Sequence, residues 1–345
     1  MQLIVSLMVR VALIWSIVIG TSIAHENVLS VSVPKPGDPP DQHAIRMIDR
    51  LRGWTIADHS FFSTVDGARN WKRVPVDSSP FQLRGSWGVT ADGGAWSLAV
   101  RSWPKPADEL LRMTPDGSTE HLPLPCNEQK CVAASVDFDP AGKNGLLLGL
   151  VAIDSNDSRI SAFRTFDGGH RWLRIAAPDT TVFRSDVTVK WAADKQAFIA
   201  NGCEFFTTSD FGDSWHQTPD KDIPDAMCEQ DSLPFSVRLV RPGMGWLRTS
   251  TGRVFWTGNG GASWNASALA EGRNPFLLGM DEWVSFVDAL HGLIVMNGQI
   301  LATRDGGRTW SPLTQPGEPF HSVSCAGGRC ILRSQTRVAE FTFDN

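Results

Sequence analysis

Short segments in which apolar and polar residues alternate recur along the chain, and Gly-rich turns separate them. Between 283 and 313, two such segments precede a hairpin, with the sequences WVSFVD, HGLIVMNG and QILATRDGGRTWSPL. The same order appears as FSVRLV, MGWLRTS and RVFWTGNGGASW, and near the start as AIRMID, RGWTIA and SFFSTVDGARNW. Because alternation with period two is typical of β-strands, each unit predicts a group of antiparallel strands.

Five hairpins share one turn sequence, which we call the repeat turn. In each, a Thr stands two residues before an Asp or Asn, and a Trp stands five residues after it. The Asp or Asn and its Trp are Asp66 with Trp71, Asp167 with Trp172, Asp210 with Trp215, Asn259 with Trp264, and Asp305 with Trp310. A degenerate sixth copy contains Asp116 and has His121 in the Trp position. Successive copies lie 43 to 51 residues apart, which is close to the length of a four-stranded propeller blade.

The chemistry of the repeat turn is local. An Asp or Asn side chain accepts hydrogen bonds from backbone N–H groups of its own turn, and Gly supplies the positive φ that a tight reversal needs. We expect the Trp to fold back over the turn and cover its edge. We therefore expect these carboxylates and rings to be structural rather than catalytic.

The repeat turns resemble the Asp boxes of the bacterial neuraminidase repeat (BNR). The order of strand, Gly-Trp strand and turn hairpin is most similar to that of the photosystem II stability/assembly factor family. The resemblance implies that the turns join the third and fourth strands of propeller blades, far from the active face. It covers nearly the whole chain after its first apolar run, and it rests on the repeat pattern.

Six units of this kind can be counted, and a remainder from Phe320 onward holds three more strands. The segment ENVLSVSVP at 26–34 alternates like a strand but has no blade of its own. Pairing the two ends would remove exposed sheet edges. We predict an all-β, seven-bladed propeller with four-stranded antiparallel blades, closed by its terminal strands; six blades with a loose tail is the alternative.

Within the first 24 residues, an uncharged apolar run follows Arg10. Ser22 and Ala24 are small residues at the spacing that a signal peptidase recognises. We predict a signal peptide at 1–24 and one propeller domain at 25–345. No second long apolar run follows, so no stable membrane span is expected after cleavage. The net charge of −5 argues against nucleic-acid binding. The expected location is periplasmic or secreted.

Six cysteines follow the apolar run, and an even number in an exported chain predicts disulfides. Six cysteines allow fifteen pairings. The sequence spacing favours Cys126 with Cys131 and Cys325 with Cys330, which leaves Cys203 with Cys228. Neither Cys nor His shows metal-ligand spacing, so no metal is expected.

Candidate catalytic groups are scarce. The chain has no Tyr, so the Tyr nucleophile that a sialidase resemblance would require is missing. Nucleophile-elbow, zinc-protease and phosphate-binding motifs are missing as well, and no cofactor is expected. A propeller-type glycoside hydrolase, which needs two facing carboxylates, stays open as the alternative function.

Charged residues on the first strands are the stronger candidates for a functional site, because the innermost strand of each propeller blade lines the central channel. Aligning these strands places Arg46, Arg84 and Arg238 at equivalent positions, with Lys190 nearby. Asp137, Ser285 and Ser324 occupy the same column in other blades. Converging Arg side chains would favour an acidic group. We predict a non-catalytic binding or assembly-factor-like module that holds a protein or another acidic ligand at the channel mouth.

Overall fold

The computed structural model describes much of the chain after the predicted signal peptide. The described residues are 30–32, 44–57, 60–76, 82–100, 109–126, 131–153, 157–183, 187–228, 234–241, 243–267, 269, 283–296, 299–313, 319–334 and 337–343. The predicted signal peptide at 1–24 lies outside them, as does the start of the predicted domain.

The described strands form seven antiparallel sheets, which are the blades of a seven-bladed β-propeller. The first strand is β1 (Ser30–Ser32). Blade 1 contains β2 (Ala44–Met47), β3 (Gly53–Ala57), β4 (Ser60–Thr64) and β5 (Lys72–Val74). Blade 2 contains β6 (Gln82–Val89), β7 (Ala95–Val100), β8 (Glu109–Met113) and β9 (Thr119–Pro123). Blade 3 contains β10 (Val132–Phe138), β11 (Gly145–Ala152), β12 (Asp157–Thr165) and β13 (Leu173–Ile175), with β14 (Thr181–Phe183) added beside β12.

Blade 4 contains β15 (Val187–Ala193), β16 (Gln196–Asn201), β17 (Glu204–Thr208) and β18 (His216–Gln217). Two short 3₁₀ helices follow at Asp220–Asp222 and Asp225–Met227. Blade 5 contains β19 (Pro234–Arg241), β20 (Met244–Thr249), β21 (Val254–Thr257) and β22 (Asn265–Ala266). Blade 6 contains β23 (Val284–Phe286), β24 (Gly292–Met296), β25 (Gln299–Thr303) and β26 (Ser311–Leu313). Blade 7 contains β27 (Ser322–Ala326), β28 (Arg329–Arg333) and β29 (Val338–Thr342).

The ring closes through its two ends, as predicted. Strand β1 pairs antiparallel with β29, so the seventh blade takes its outermost strand from the start of the chain. The six-bladed alternative is wrong, because the three C-terminal strands form a seventh blade together with β1 and not a loose tail.

Packing between neighbouring blades supplies the hydrophobic core. The buried apolar residues of the described chain fall into seven clusters, and each cluster joins two adjacent blades. The second strand of a blade is buried along most of its length, as in β20 and β24, where every residue is buried. This explains the continuous apolar run LIVM in β24, since both faces of that strand contact a neighbouring blade.

The repeat turns connect the third and fourth strands and have one hydrogen-bond pattern. In Thr303–Thr309, the Thr303 Oγ1 donates to Asp305 Oδ1 (2.9 Å) and accepts from the Gly307 N–H (2.8 Å). The Thr309 N–H donates to Asp305 Oδ1 (2.9 Å). The same N–H contact to the Asp or Asn is 2.9 Å long in each of the five turns, with the donors Asn70, Arg171, Ser214, Ser263 and Thr309.

Two consecutive residues with positive φ follow the Asp or Asn of each repeat turn, which explains the frequent Gly-Gly pairs. Two of these positions are occupied by residues other than Gly, namely Ala68 (φ 67°) and Phe211 (φ 64°). The Trp of each turn packs on the preceding blade; Trp310 of blade 6, for example, meets Trp246 of blade 5 edge-on at 5.5 Å between ring centroids.

Three disulfides join the six cysteines as the sequence spacing suggested: Cys126–Cys131, Cys203–Cys228 and Cys325–Cys330. These bonds are consistent with an oxidising compartment. Among the described residues, no helix is long and apolar enough to cross a membrane.

Candidate functional site

One cavity of about 890 Å³ lies on the propeller axis, and all seven innermost strands contribute to its wall. These strands are β2, β6, β10, β15, β19, β23 and β27. The lining continues into the β10–β11 turn, at Asp139, Pro140 and Ala141. This turn lies at the repeat-turn end of its blade, because the Gly168 N–H of the repeat turn donates to Lys143 O. The described cavity therefore reaches the same end of the propeller as the repeat turns, whereas the resemblance implied that these turns lie far from the active face.

Strand register defines which residues form the predicted column on the inner strands. Arg46 lies opposite Trp54, and Arg238 lies opposite Trp246, in the second strands of their blades. The matching partner in blade 2 is Trp96, and the residue opposite it is Gly88. Aligning Arg84 with Arg46 is therefore wrong by four residues. A register shift between Leu83 and Trp87 accompanies this difference, and the side chain of Arg84 lies outside the described part of the chain.

The other members of the column are placed as expected. Asp137, Ser285 and Ser324 line the cavity together with Arg46 and Arg238. Lys190 occupies the column by register, opposite Phe198, but it is not among the residues that line the described cavity.

Column residues connect several of the inner strands to the next one around the channel. Ser285 Oγ accepts from the Cys325 N–H (2.9 Å), and Ser324 Oγ accepts from the Met47 N–H (2.8 Å). Asp137 Oδ2 accepts from the Trp191 N–H (2.8 Å). An inner strand pairs on one side only, so its channel-side N–H groups need other acceptors. These side chains provide them.

Arg46 has a related structural role. It is 7% exposed, its Nη1 donates to the carbonyl oxygen of Trp87 in blade 2, and its guanidinium lies 4.3 Å from the centroid of the Trp87 ring. Arg238 is half-buried at the cavity wall and lies beside Leu239 and Val240. Of the predicted cationic residues, Arg238 is thus the one whose position best suits contact with a ligand.

The cavity wall also carries carboxylates, so it is mixed in charge and not uniformly basic. Asp137, Asp139 and Asp194 all line it. Asp139 Oδ1 accepts from the N–H groups of Lys143 (2.9 Å) and Asn144 (3.2 Å), and its Oδ2 accepts from the Asn144 side chain. Asp137 and Asp139 therefore hold backbone groups in place, as the repeat-turn carboxylates do.

Sequence reasoning missed two features of this channel. The first is an apolar part of the wall that comes from inner-strand ends and second strands, formed by Trp96, Phe138, Trp191 and Phe286. The second is a set of hydroxyl contacts deeper along the strands, in which Ser135 Oγ accepts from the Val189 N–H (3.0 Å) and Ser86 Oγ accepts from the Val136 N–H (3.3 Å). Small hydroxyl residues recurring on successive first strands were the available sequence signal.

The repeat-turn carboxylates lie on the peripheral turns. Hydrogen bonds lower their pKa values: the Thr309 N–H is the main cause for Asp305 and the Ser214 hydroxyl for Asp210, each brought to about 2. In the described residues, no group of three or more His, Cys, Asp or Glu side chains is arranged to hold a metal ion.

Comparison with solved structures identifies similar propellers at low sequence identity. A structure described as YCF48 bound to D1 peptide matches with a TM-score of 0.61 and 14% identity, over 93% of this chain and 98% of that one. YCF48 from Cyanidioschyzon merolae matches with a TM-score of 0.57 and 13% identity, over 91% and 98%. A streptogramin B lyase matches with a TM-score of 0.59 and 10% identity, over 92% and 98%. No protein-family model and no curated protein matches the chain. At these identities the likeness shows the propeller fold alone.

Proposed function

We propose that this protein is an exported, non-catalytic binding or assembly-factor-like propeller that holds a protein segment or another acidic partner at the mouth of its channel. One observation carries the proposal: all seven inner strands meet at one cavity whose wall combines Arg238 with aromatic side chains. Large aromatic surfaces bind apolar side chains, and a guanidinium binds carboxylates.

The geometry of the wall favours binding over glycoside hydrolysis. A glycosidase needs two carboxyl groups facing each other across the substrate. Asp137 and Asp139 are instead engaged by backbone N–H groups. Glu204, the first residue of β17, accepts from Thr180 Oγ1 and from Asn201 Nδ2 (3.0 Å), and it does not line this cavity.

The similar structures support a polypeptide as the partner, because one of them is described as bound to a peptide. We also infer that the repeat turns are Asp boxes of the BNR type, and that the chain is related to the photosystem II assembly factors. The shared hydrogen-bond pattern of five turns supports this relation. Export through a signal peptide at 1–24, cleaved after Ala24, fits a mature protein with three disulfides.

A peptide-display selection on the purified protein tests the proposal. We expect enrichment of peptides that combine aromatic or aliphatic residues with Asp or Glu. Arg238→Ala should weaken binding of a selected peptide by about tenfold or more, since a charge-assisted hydrogen bond contributes about 1.5–3 kcal/mol. Added salt should weaken wild-type binding.

Arg174→Ala is the matched control, because Arg174 is exposed on the outermost strand β13. It should bind the selected peptide as the wild type does. Equal loss of affinity in both variants, or enriched peptides without acidic residues, would contradict the role of Arg238. Turnover of glycoside substrates that disappears in a carboxylate variant of the cavity would favour the hydrolase instead.

A further inference from the structure

Arginine side chains fill the junctions between several neighbouring blades at the repeat-turn end. At the junction of blades 2 and 3, Arg112 Nη1 donates to the carbonyl oxygens of Gly142 (2.6 Å) and Gly168 (2.7 Å). Gly142 lies in the first turn of blade 3, and Gly168 lies in its repeat turn. A side chain on Gly168 would collide with the Arg112 guanidinium, so the repeat-turn glycine leaves space for this group.

Two other junctions also hold a guanidinium group beside the repeat turn of the next blade. Between blades 3 and 4, Arg164 Nη1 donates to Phe211 O (3.4 Å) and Asp213 Oδ1 (2.7 Å). Phe211 is the repeat-turn residue that corresponds to Gly168. Between blades 7 and 1, Arg329 donates to the carbonyl oxygen of Arg50 and lies against Gly67 of the repeat turn.

The junction of blades 5 and 6 differs. Register places Trp256 at the position of Arg112 and Arg164, because each lies opposite the matching residue of the second strand: Trp246, Trp96 and Leu146. The Gly306 N–H donates to Leu290 O as the Gly168 N–H donates to Lys143 O. Ala289 and Gly306 therefore correspond to Gly142 and Gly168.

A cavity of about 380 Å³ occupies this junction. Trp256 and Met244 of blade 5 line one side, and Ala289, Leu290, Asp305 and Gly306 of blade 6 line the other. The cavity thus combines the backbone positions that accept a guanidinium elsewhere in this molecule with an aromatic ring and a carboxylate. We call it the blade 5–6 niche.

We propose that the blade 5–6 niche binds a guanidinium group, an arginine side chain of a partner polypeptide, in the place that Arg112 fills between blades 2 and 3. The backbone carbonyls of Ala289 and Gly306 offer acceptors to its N–H groups, as those of Gly142 and Gly168 do for Arg112. The Trp256 ring offers a face for cation–π contact, for which Trp is the best aromatic partner. The niche is separate from the axial cavity, and the proposal does not depend on the function proposed for that cavity.

Arg308 also lines the niche, and its charge opposes a second cation. It is exposed, so solvent screens it. The corresponding residue of blade 1 is Arg69, which is also exposed, while the Arg329 guanidinium lies against Gly67 of the same turn. A cationic residue at this turn position is therefore compatible with an occupied site.

The test uses acetyl-Gly-Arg-Gly-amide as the probe and the same peptide with citrulline, the uncharged counterpart of arginine, as its control. Binding is followed by NMR through the indole N–H signal of Trp256, identified by its loss in Trp256→Phe. The arginine probe should shift this signal in a saturable way, and the citrulline probe should not. Equal responses to the two probes, or no saturable response to arginine, would overturn the proposal.

Substitutions that fill the blade 5–6 niche provide a second test of the proposal. Trp256→Arg should supply an internal guanidinium, as Arg164 does in blade 3, and weaken probe binding by at least about tenfold; its binding is followed by calorimetry. Leu290→Arg, at a side chain that is 50% exposed, should do the same if Trp256→Arg fails to fold. Thr207→Arg, at the register-equivalent position of blade 4, should bind the probe normally. Unchanged binding in Leu290→Arg would also contradict the proposal.

Discussion

Ser30 lies directly opposite Glu340 in the antiparallel pair of β1 and β29, at the point where the two ends of the chain close the ring. We expect deletion of residues 25–33 to lower the melting temperature clearly, because blade 7 then loses its outermost strand and exposes the edge of β29. Thermal unfolding followed by circular dichroism measures this. Deletion of residues 25–28, before β1, is the control and should melt like the wild type. Equal melting of both would mean that β1 adds nothing to closure.

Asp305→Ala should destabilise the fold by about 1–2 kcal/mol, the usual effect of removing a side chain that caps backbone N–H groups. Asp305→Asn is the matched control, because blade 5 has Asn259 at this position with the same 2.9 Å contact, from the Ser263 N–H. It should lose less stability. Urea unfolding of both variants decides this, and an equal loss in the two would count against the hydrogen-bonding role of the side-chain oxygen.

Acid should remove part of the stability that the repeat turns contribute. The pKa values of Asp210 and Asp305 lie at about 2 in the folded protein, below their usual 3.8. A lowered folded-state pKa stabilises the fold above the unfolded value, and this contribution disappears as pH falls from about 4 to about 2. The double variant Asp210→Asn, Asp305→Asn should therefore lose less melting temperature than the wild type over this range. A parallel decline in both proteins would be the contrary result.

The three disulfides should differ in their contribution to stability. Cys203 and Cys228 are 25 residues apart, whereas Cys126 and Cys131 are 5 apart. Loop-closure entropy gives the longer loop an advantage of about 1.4 kcal/mol. Paired Ser substitutions at each bridge, compared by urea unfolding, should show the larger loss for Cys203–Cys228. A larger loss at Cys126–Cys131 would show that local packing of that bridge outweighs loop entropy.

The sequence predicts the fold well because the repeat turn is a local structure. Thr303, Asp305 and Gly307 lie within five positions of one another, and their spacing is itself the hydrogen-bond pattern. The disulfides Cys126–Cys131 and Cys325–Cys330 followed from short sequence spacing, and Cys203–Cys228 followed by elimination. The closing strand was predictable because one strand near the start of the chain had no blade and the three C-terminal strands lacked a fourth.

The site is less predictable, because its contacts connect different blades. Arg84 was misplaced by four residues because the register shift between Leu83 and Trp87 cannot be read from alternation. The bond from the Trp191 N–H to Asp137 spans 54 positions, so the sequence offered no reason to see that carboxylate as a strand connector. The niche beside Trp256 likewise becomes visible only when the blades are compared in space.

The most direct measurement of the central claim is calorimetric titration of a display-selected peptide into a protein whose axial cavity is blocked. Ala141→Trp places a large side chain at an exposed position of the cavity wall, whereas Ala266→Trp places one on the exposed outer strand β22. If the protein holds peptides in the channel, Ala141→Trp should bind at least about tenfold more weakly and Ala266→Trp should bind like the wild type. Equal affinity of all three proteins would show that the partner binds elsewhere.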